Sequence, residues 1–167
     1  RKAQMRHLRP DVKLQDLRGN VPTRVQKLRE GNYDAILLAK AGLDRLELDL
    51  SDLVAIPLDP QVFIPAPAQG ALGLQIRSAN TAISEALSHI HDSAIGDVVR
   101  AERSILRSIN GGCQVPLGVH CFHDGNSYQI KTAFAQQWDT DVLYFVSSSS
   151  DAQQAADEII EAIAKLP

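Results

Sequence analysis

Apolar and polar positions change their period several times along the chain, and each change predicts an element. Met5 and Leu8 share one side of a short helix over residues 1–9, which Pro10 ends. Val12, Leu14 and Leu17 suggest a strand leading into "LRGNVPTR". Pro22 suits the first turn of a helix, Val21, Val25 and Leu28 keep helical spacing, and Gly31 is a fitting stop. "YDAILLA" at 33–39 is a nearly continuous apolar run of the kind that buried parallel strands carry. A short helix over "AGLDRLEL" and a strand at "LVAIPL" complete a β-α-β-α-β order, which predicts a parallel sheet.

Pro60, Pro65 and Pro67 break "DPQVFIPAPAQG", which reads as a crossover or linker. Leu72, Leu74 and Ile76 then alternate in "ALGLQIR", a half-buried strand. Asn80 caps a helix carrying Ile83, Leu87 and Ile90, and a second helix runs from about Asp92 to Ile109. Its apolar stripe holds Ile95, Val98, Val99, Ile105, Leu106 and Ile109, and Glu102 falls on the same stripe. Pairing with Arg103 or Arg100 is the expected fate of that carboxylate. Strands follow at 115–122, 128–134 and 142–147, with "HDGN" as hairpin chemistry between the first two. Ser150 and Gln153 form a capping box for a last helix whose apolar face runs from Ala152 to Leu166. The C-terminal part thus reads as an α+β module: helix, three-stranded antiparallel sheet, helix.

Composition alters this picture little. The 167 residues are 44% hydrophobic and 22% charged, ordinary for a soluble domain, and no stretch approaches a membrane span. The first ten residues are basic and lack an apolar core, so with only two cysteines a cytoplasmic location is expected. Charge alters it more. Nine of the seventeen Lys and Arg lie within residues 1–29, whereas Lys131 and Lys165 are the only two after residue 120. A basic first third points to an anionic partner: nucleic acid, phosphate or a polycarboxylate. Eight aromatics give little support to a base-stacking surface, the five histidines show no metal spacing, and no glycine-rich phosphate loop is present.

Three arginines and one cysteine stand out. Arg18 and Arg24 bracket "GNVPT", a strand-to-helix turn whose amides also favour an anion, and Arg45 lies in the next equivalent segment. A guanidinium fork suits a carboxylate because it donates two parallel charge-assisted hydrogen bonds. Lys27 and Arg29, on the outer helix face, read as solvated charge. Cys121 alternates with the apolar face of a strand and reads as core, while Cys113 sits on the "INGGCQVPLG" loop. An extended strand would separate the two by roughly 26 Å, which rules out a disulfide. Cys113 is either a small buried hydrophobe or a thiol presented for covalent chemistry.

The segments "LRGNVPTRVQKLREGNYDAILLAKAGLDRL", "PAPAQGALGLQIR" and "RAERSILRSINGGCQVPLG" together closely resemble the porphobilinogen deaminases, also called hydroxymethylbilane synthases. The match stays in register over nearly the whole chain and weakens after about residue 122. It implies a transferase of tetrapyrrole biosynthesis that condenses four porphobilinogen molecules into hydroxymethylbilane and releases ammonia. It also implies a dipyrromethane cofactor joined by a thioether to Cys113, where two glycines would let a lengthening polypyrrole swing. Arg18, Arg24 and Arg45 match the family's carboxylate-binding arginines, and Arg1 matches the second of its paired arginines. Ala39 and Gly42 match backbone positions beside the cofactor, and Gln69 matches the glutamine of the hinge.

The family's catalytic aspartate has no counterpart in this chain, which resembles about the C-terminal half of such enzymes. The resemblance therefore implies a fragment: a partial, periplasmic-binding-protein-like α/β domain over 1–62, then a crossover and an orphan strand over 63–80. An α+β third domain with the cysteine loop completes it over 81–167. Such a fragment is expected to be inactive, to lack the cofactor, and either to self-associate through residues 1–80 or to lack order there, whereas the full-length protein is expected to be monomeric. A non-catalytic polycarboxylate-binding module would explain the arginines but leave Cys113 idle. Nucleic-acid binding through the basic third would instead fall steeply with salt.

Overall fold

The computed structural model describes residues 1–109 and 115–167. Its elements, in chain order, are α1 (Lys2–Leu8), α2 (Val21–Arg29), α3 (Lys40–Leu46), α4 (Thr81–Ser88), α5 (Ser93–Ser108), β1 (Leu117–His123), β2 (Tyr128–Phe134), β3 (Leu143–Ser149) and α6 (Ala152–Ala164). This is a mixed α/β architecture with one antiparallel sheet in the order β1-β2-β3. No helix among the described residues is long and apolar enough to cross a membrane.

The sheet and the last two long helices follow from local pattern. Register pairs Leu117 with Phe134 and Cys121 with Ile130, and Thr132 with Phe145. The alternation of β1 sends Leu117, Val119 and Cys121 to one face, where they meet Ile130, Ala101 and Ile105 of α5, and Ala155, Ala156 and Ile159 of α6. Asp92 caps α5 by accepting the Ile95 amide at 3.1 Å. The cap of α6 lies one residue later than the sequence predicts. Asp151, not Ser150, accepts the Gln154 amide at 2.8 Å, and the Gln153 side chain donates to Asp157 instead of closing a capping box. A carboxylate at the helix start also complements the helix dipole, so Asp outcompetes its serine neighbour.

A second, smaller core lies on the opposite face of the sheet, where Ala3 of α1 and Ile64 pack against Ala133, Ala135 and Val142. Small residues make this approach possible. A Cβ at Gly118 would stand 2.6 Å from the Ile64 carbonyl oxygen and 2.8 Å from Gln4 Nε2.

The parallel sheet expected from the first half is absent among the described residues. The segments at 12–17, 33–39, 53–58 and 71–77 form no strand ladder. Val54 and Leu72 are 88% and 74% exposed, so "ALGLQIR" is not half-buried either. Alternation records a face that burial would favour, but a strand exists only when a neighbour takes its N–H and C=O groups. None does so here.

Two outcomes test this packing. Gly118→Ala should lower unfolding stability by about 1–3 kcal/mol through overpacking at the Ile64 carbonyl, and an unchanged urea midpoint would contradict the close approach. Thr132 Oγ1 is buried without a hydrogen-bond partner among the described residues. Thr132→Val, which keeps the shape and removes the orphan hydroxyl, should melt no lower than the parent.

Candidate functional site

The turn before α2 is built by its own sequence. Asn20 caps the helix, accepting from the Thr23 amide at 2.9 Å and the Thr23 hydroxyl at 2.7 Å. Gly19 takes φ +122, and a Cβ there would meet Thr23 Cγ2 at 2.9 Å, so glycine is needed on both counts. Two cations fold back on the turn: Arg24 Nε donates to the Gly19 carbonyl at 2.7 Å, and Lys27 Nζ to the Arg18 carbonyl at 3.0 Å. Lys27 is therefore a brace of the turn and not a solvated charge. The Arg18 side chain is exposed and makes no hydrogen bond or ion pair among the described residues.

Three contacts connect this turn to the other candidate residues. Gly42 of α3 faces Val21, whose Cγ2 would lie 3.5 Å from a Cβ at Gly42. Gly70, at φ +90, lies beside Ala41, whose Cβ would be 3.7 Å from a Gly70 Cβ. Arg1 Nη2 donates to Gln69 Oε1 at 2.7 Å. Arg1, Gln69, the Ala39–Gly42 stretch and the Arg18–Arg24 turn thus belong to one connected region. Ala39 is the N-cap of α3, in extended conformation and without a side-chain cap. Arg45, in the last turn of α3, is exposed and has no hydrogen bond or ion pair among the described residues. Lys40 and Asp44 pair along the same helix at 2.5 Å.

Other basic residues are already committed. Arg9 pairs with both oxygens of Asp11 at 2.7 and 2.6 Å. Arg29, expected to be solvated, holds both oxygens of Asp52 at 2.8 and 2.7 Å and the Asp49 carbonyl at 2.6 Å. The side chain pins the end of α2 to the 49–52 turn.

Cys113 lies outside the described residues. Cys121 is a free, buried thiol, and burial beside the Glu102 carboxylate pushes its pKa up to about 12. It is a core residue without thiolate character at neutral pH.

Glu102 departs from expectation. Arg100 pairs with Asp97 instead, and Glu102 is buried, accepting the Ala68 amide at 2.6 Å and the Cys121 amide at 2.9 Å. Burial raises its pKa, and the two amides pull the other way. The stripe of α5 that carries Glu102 faces β1 and the linker, whereas Arg100 and Arg103 are exposed. Gln4 is a second residue that sequence pattern passes over. It is buried and clamps Ile64, accepting its amide at 2.8 Å and donating to its carbonyl at 2.7 Å. A lone glutamine on a seven-residue helix carries no periodic signal of such a role.

The family described as "Porphobilinogen deaminase, dipyromethane cofactor binding domain" matches residues 1–85, and "Porphobilinogen deaminase, C-terminal domain" matches residues 97–165. The chain is 48% identical over 120 residues to the porphobilinogen deaminase of Syntrophobacter fumaroxidans, covering 72% of this chain and 38% of that one. It is 46% identical over 133 residues to that of Roseiflexus sp. strain RS-1, covering 78% and 43%. Against that of Streptococcus sanguinis the identity is 35% over 165 residues, covering 98% of this chain and 54% of the relative. The chain therefore spans between two fifths and about half of the curated relatives it matches. It belongs to the porphobilinogen deaminase family.

Proposed function

We propose that this chain supplies the cofactor- and substrate-holding part of a porphobilinogen deaminase, which condenses four porphobilinogen molecules into hydroxymethylbilane with release of ammonia. The observation that carries this reading is the connected region of Arg1, Gln69, Ala39–Gly42 and the Arg18–Arg24 turn, with the side chains of Arg18 on that turn and Arg45 at the end of α3 exposed and uncommitted among the described residues.

The donor set fits a dipyrromethane. Each pyrrole of porphobilinogen carries an acetate and a propionate, so the cofactor and every longer intermediate are polyanions. Arg18 and Arg45 have their whole forks available, and Arg24 keeps its terminal nitrogens while its Nε braces Gly19. Each fork can take one carboxylate bidentately. Gly42 packs close to Val21, and Gln69 orients Arg1. Cys113 would carry the thioether. The bound dipyrromethane supplies a terminal pyrrole carbon as the site of chain growth.

The same reading extends to architecture and setting. The segments at 33–39, 53–58 and 71–77 become strands when segments found in the longer relatives pair with them. That completes a periplasmic-binding-protein-like α/β domain over 1–62 and gives the 71–77 strand to another domain, with residues 81–167 as the third. By themselves these 167 residues bind and do not turn over, because no residue in them matches the family's catalytic aspartate, and their open apolar segments favour self-association. The protein containing them is cytoplasmic and monomeric. A bare polycarboxylate-binding module would use the same arginines without Cys113.

The cysteines and arginines test this in the protein that carries the activity. Cys113→Ser should abolish the added dipyrromethane mass and the turnover. Cys121→Ser should keep both and lower stability by ~1 kcal/mol. Full turnover by the Cys113 variant would overturn the assignment. Replacing Arg18, Arg24 or Arg45 by Lys removes a fork and should slow elongation at least tenfold, since bidentate pairing is lost, with the thermal midpoint nearly unchanged for Arg18 and Arg45 and lowered for Arg24, whose Nε also braces Gly19. Equal rates for all three variants and the parent would remove the shared site.

A further inference from the structure

The segment 64–70 sets where Gln69 stands, and it is held at three points. Gln4 clamps Ile64 at its start, and the Pro65 carbonyl accepts the Val119 amide of β1 at 2.8 Å. Ala68 is the third point: its N–H donates to Glu102 Oε2 at 2.6 Å. Ala68 also has φ +58, one of two positive values among the described non-glycine residues. A Cβ makes that left-handed conformation unfavourable, so something outside the residue has to hold it. The turn leads directly to Gln69, which accepts from Arg1, and to Gly70 beside Ala41.

The other oxygen of Glu102 serves a different element. β1 is an edge strand, with β2 on one side only, and the Cys121 amide points away from that neighbour. Glu102 Oε1 accepts it at 2.9 Å. One carboxylate thus joins an amide of the linker to an amide of the strand that follows Cys113 in sequence. No cation contacts Glu102 among the described residues. The geometry demands a full-length carboxylate. A glutamine offers one acceptor and sets an NH2 against the other amide, and an aspartate is a methylene too short to span both.

We infer that Glu102 is a positioning residue: its carboxylate, shared between the Ala68 and Cys121 amides, fixes the left-handed turn at Ala68 and thereby the place of Gln69 and Arg1 relative to the strand after Cys113. The functional meaning of Gln69 and Arg1 rests on the proposed deaminase reading, whereas the latch itself does not.

Amide hydrogen exchange on the full protein separates the two. Glu102→Gln should speed exchange at Ala68 and Gln69 by about tenfold or more, the loss expected for a hydrogen bond to a charged group, while Ile130, in the interior of the sheet, keeps its protection. Adding Ala68→Gly, which adopts the turn without strain, should restore part of the protection at Gln69. In the same protein Glu102→Gln should reduce porphobilinogen turnover several-fold while the dipyrromethane mass on Cys113 stays. Unchanged exchange at Ala68 and Gln69, or an equal rise across β1, β2 and β3, would overturn the latch. An inactive parent protein would instead count against the deaminase reading and leave the exchange result to judge Glu102. Should Glu102→Gln not fold, Glu102→Asp is read the same way, because it reaches only one of the two amides.

Discussion

The outer edge of β1 is the constraint on which the rest of the molecule depends. An edge strand presents unpaired amides, and these must find acceptors or remain a liability. Here the Val119 amide takes the carbonyl of Pro65, and the Cys121 amide takes a carboxylate from α5. The linker is thus docked by the needs of the sheet, and it brings α1 with it through the Gln4 clamp. Gly118 belongs to the same device, since only a residue without a Cβ lets the Ile64 carbonyl come so near.

That docking matters because the part of the chain bearing the arginines has little core of its own. Before α5 the buried residues are Ala3, Gln4, Val25 and Ile64, and three of these four belong to the contact with the sheet. The C-terminal module, in contrast, buries a continuous set from Ala101 to Ile163. Helix α2 is therefore placed by polar devices: the Asn20 cap, the braces from Arg24 and Lys27, and the Arg29–Asp52 pair. This arrangement leaves the side chains of Arg18 and Arg45, unpaired among the described residues, exposed. Charges so placed stay hydrated, and burying them would exact a desolvation penalty.

What the sequence disclosed follows the range of the interactions involved. The helices and the antiparallel module were legible because period, caps and a tight hairpin all act within a few residues. The turn at Arg18–Arg24 was legible for the same reason, with Asn20 and Pro22 marking the helix start. Strands at 33–39, 53–58 and 71–77 were not, because alternation says which face seeks burial and nothing about where a partner lies. Glu102 was misjudged on similar grounds. Its neighbours in sequence are arginines, but its neighbours in space are two amides, from residues 34 positions before it and 19 after it. Gln4 left no trace in the pattern at all, since one polar residue on a short helix looks like surface.

Commitment, not location alone, separates the arginines. Arg9 and Arg29 each hold both oxygens of an aspartate, and Arg100 holds another. To bind a ligand carboxylate, such a residue must first give up an equivalent bond, so the exchange gains little. Arg18 and Arg45 have no such bond to lose among the described residues, and Arg24 spends one nitrogen on a carbonyl. An exposed, uncommitted fork such as that of Arg18 or Arg45 would gain a charge-assisted pair outright, at the ordinary cost of ordering a long side chain. The sequence shows seventeen basic residues of equal formal charge. Only the structure reveals that aspartates two, three and 23 positions away have already claimed some of them, while the side chains of Arg18 and Arg45 are exposed and unpaired among the described residues.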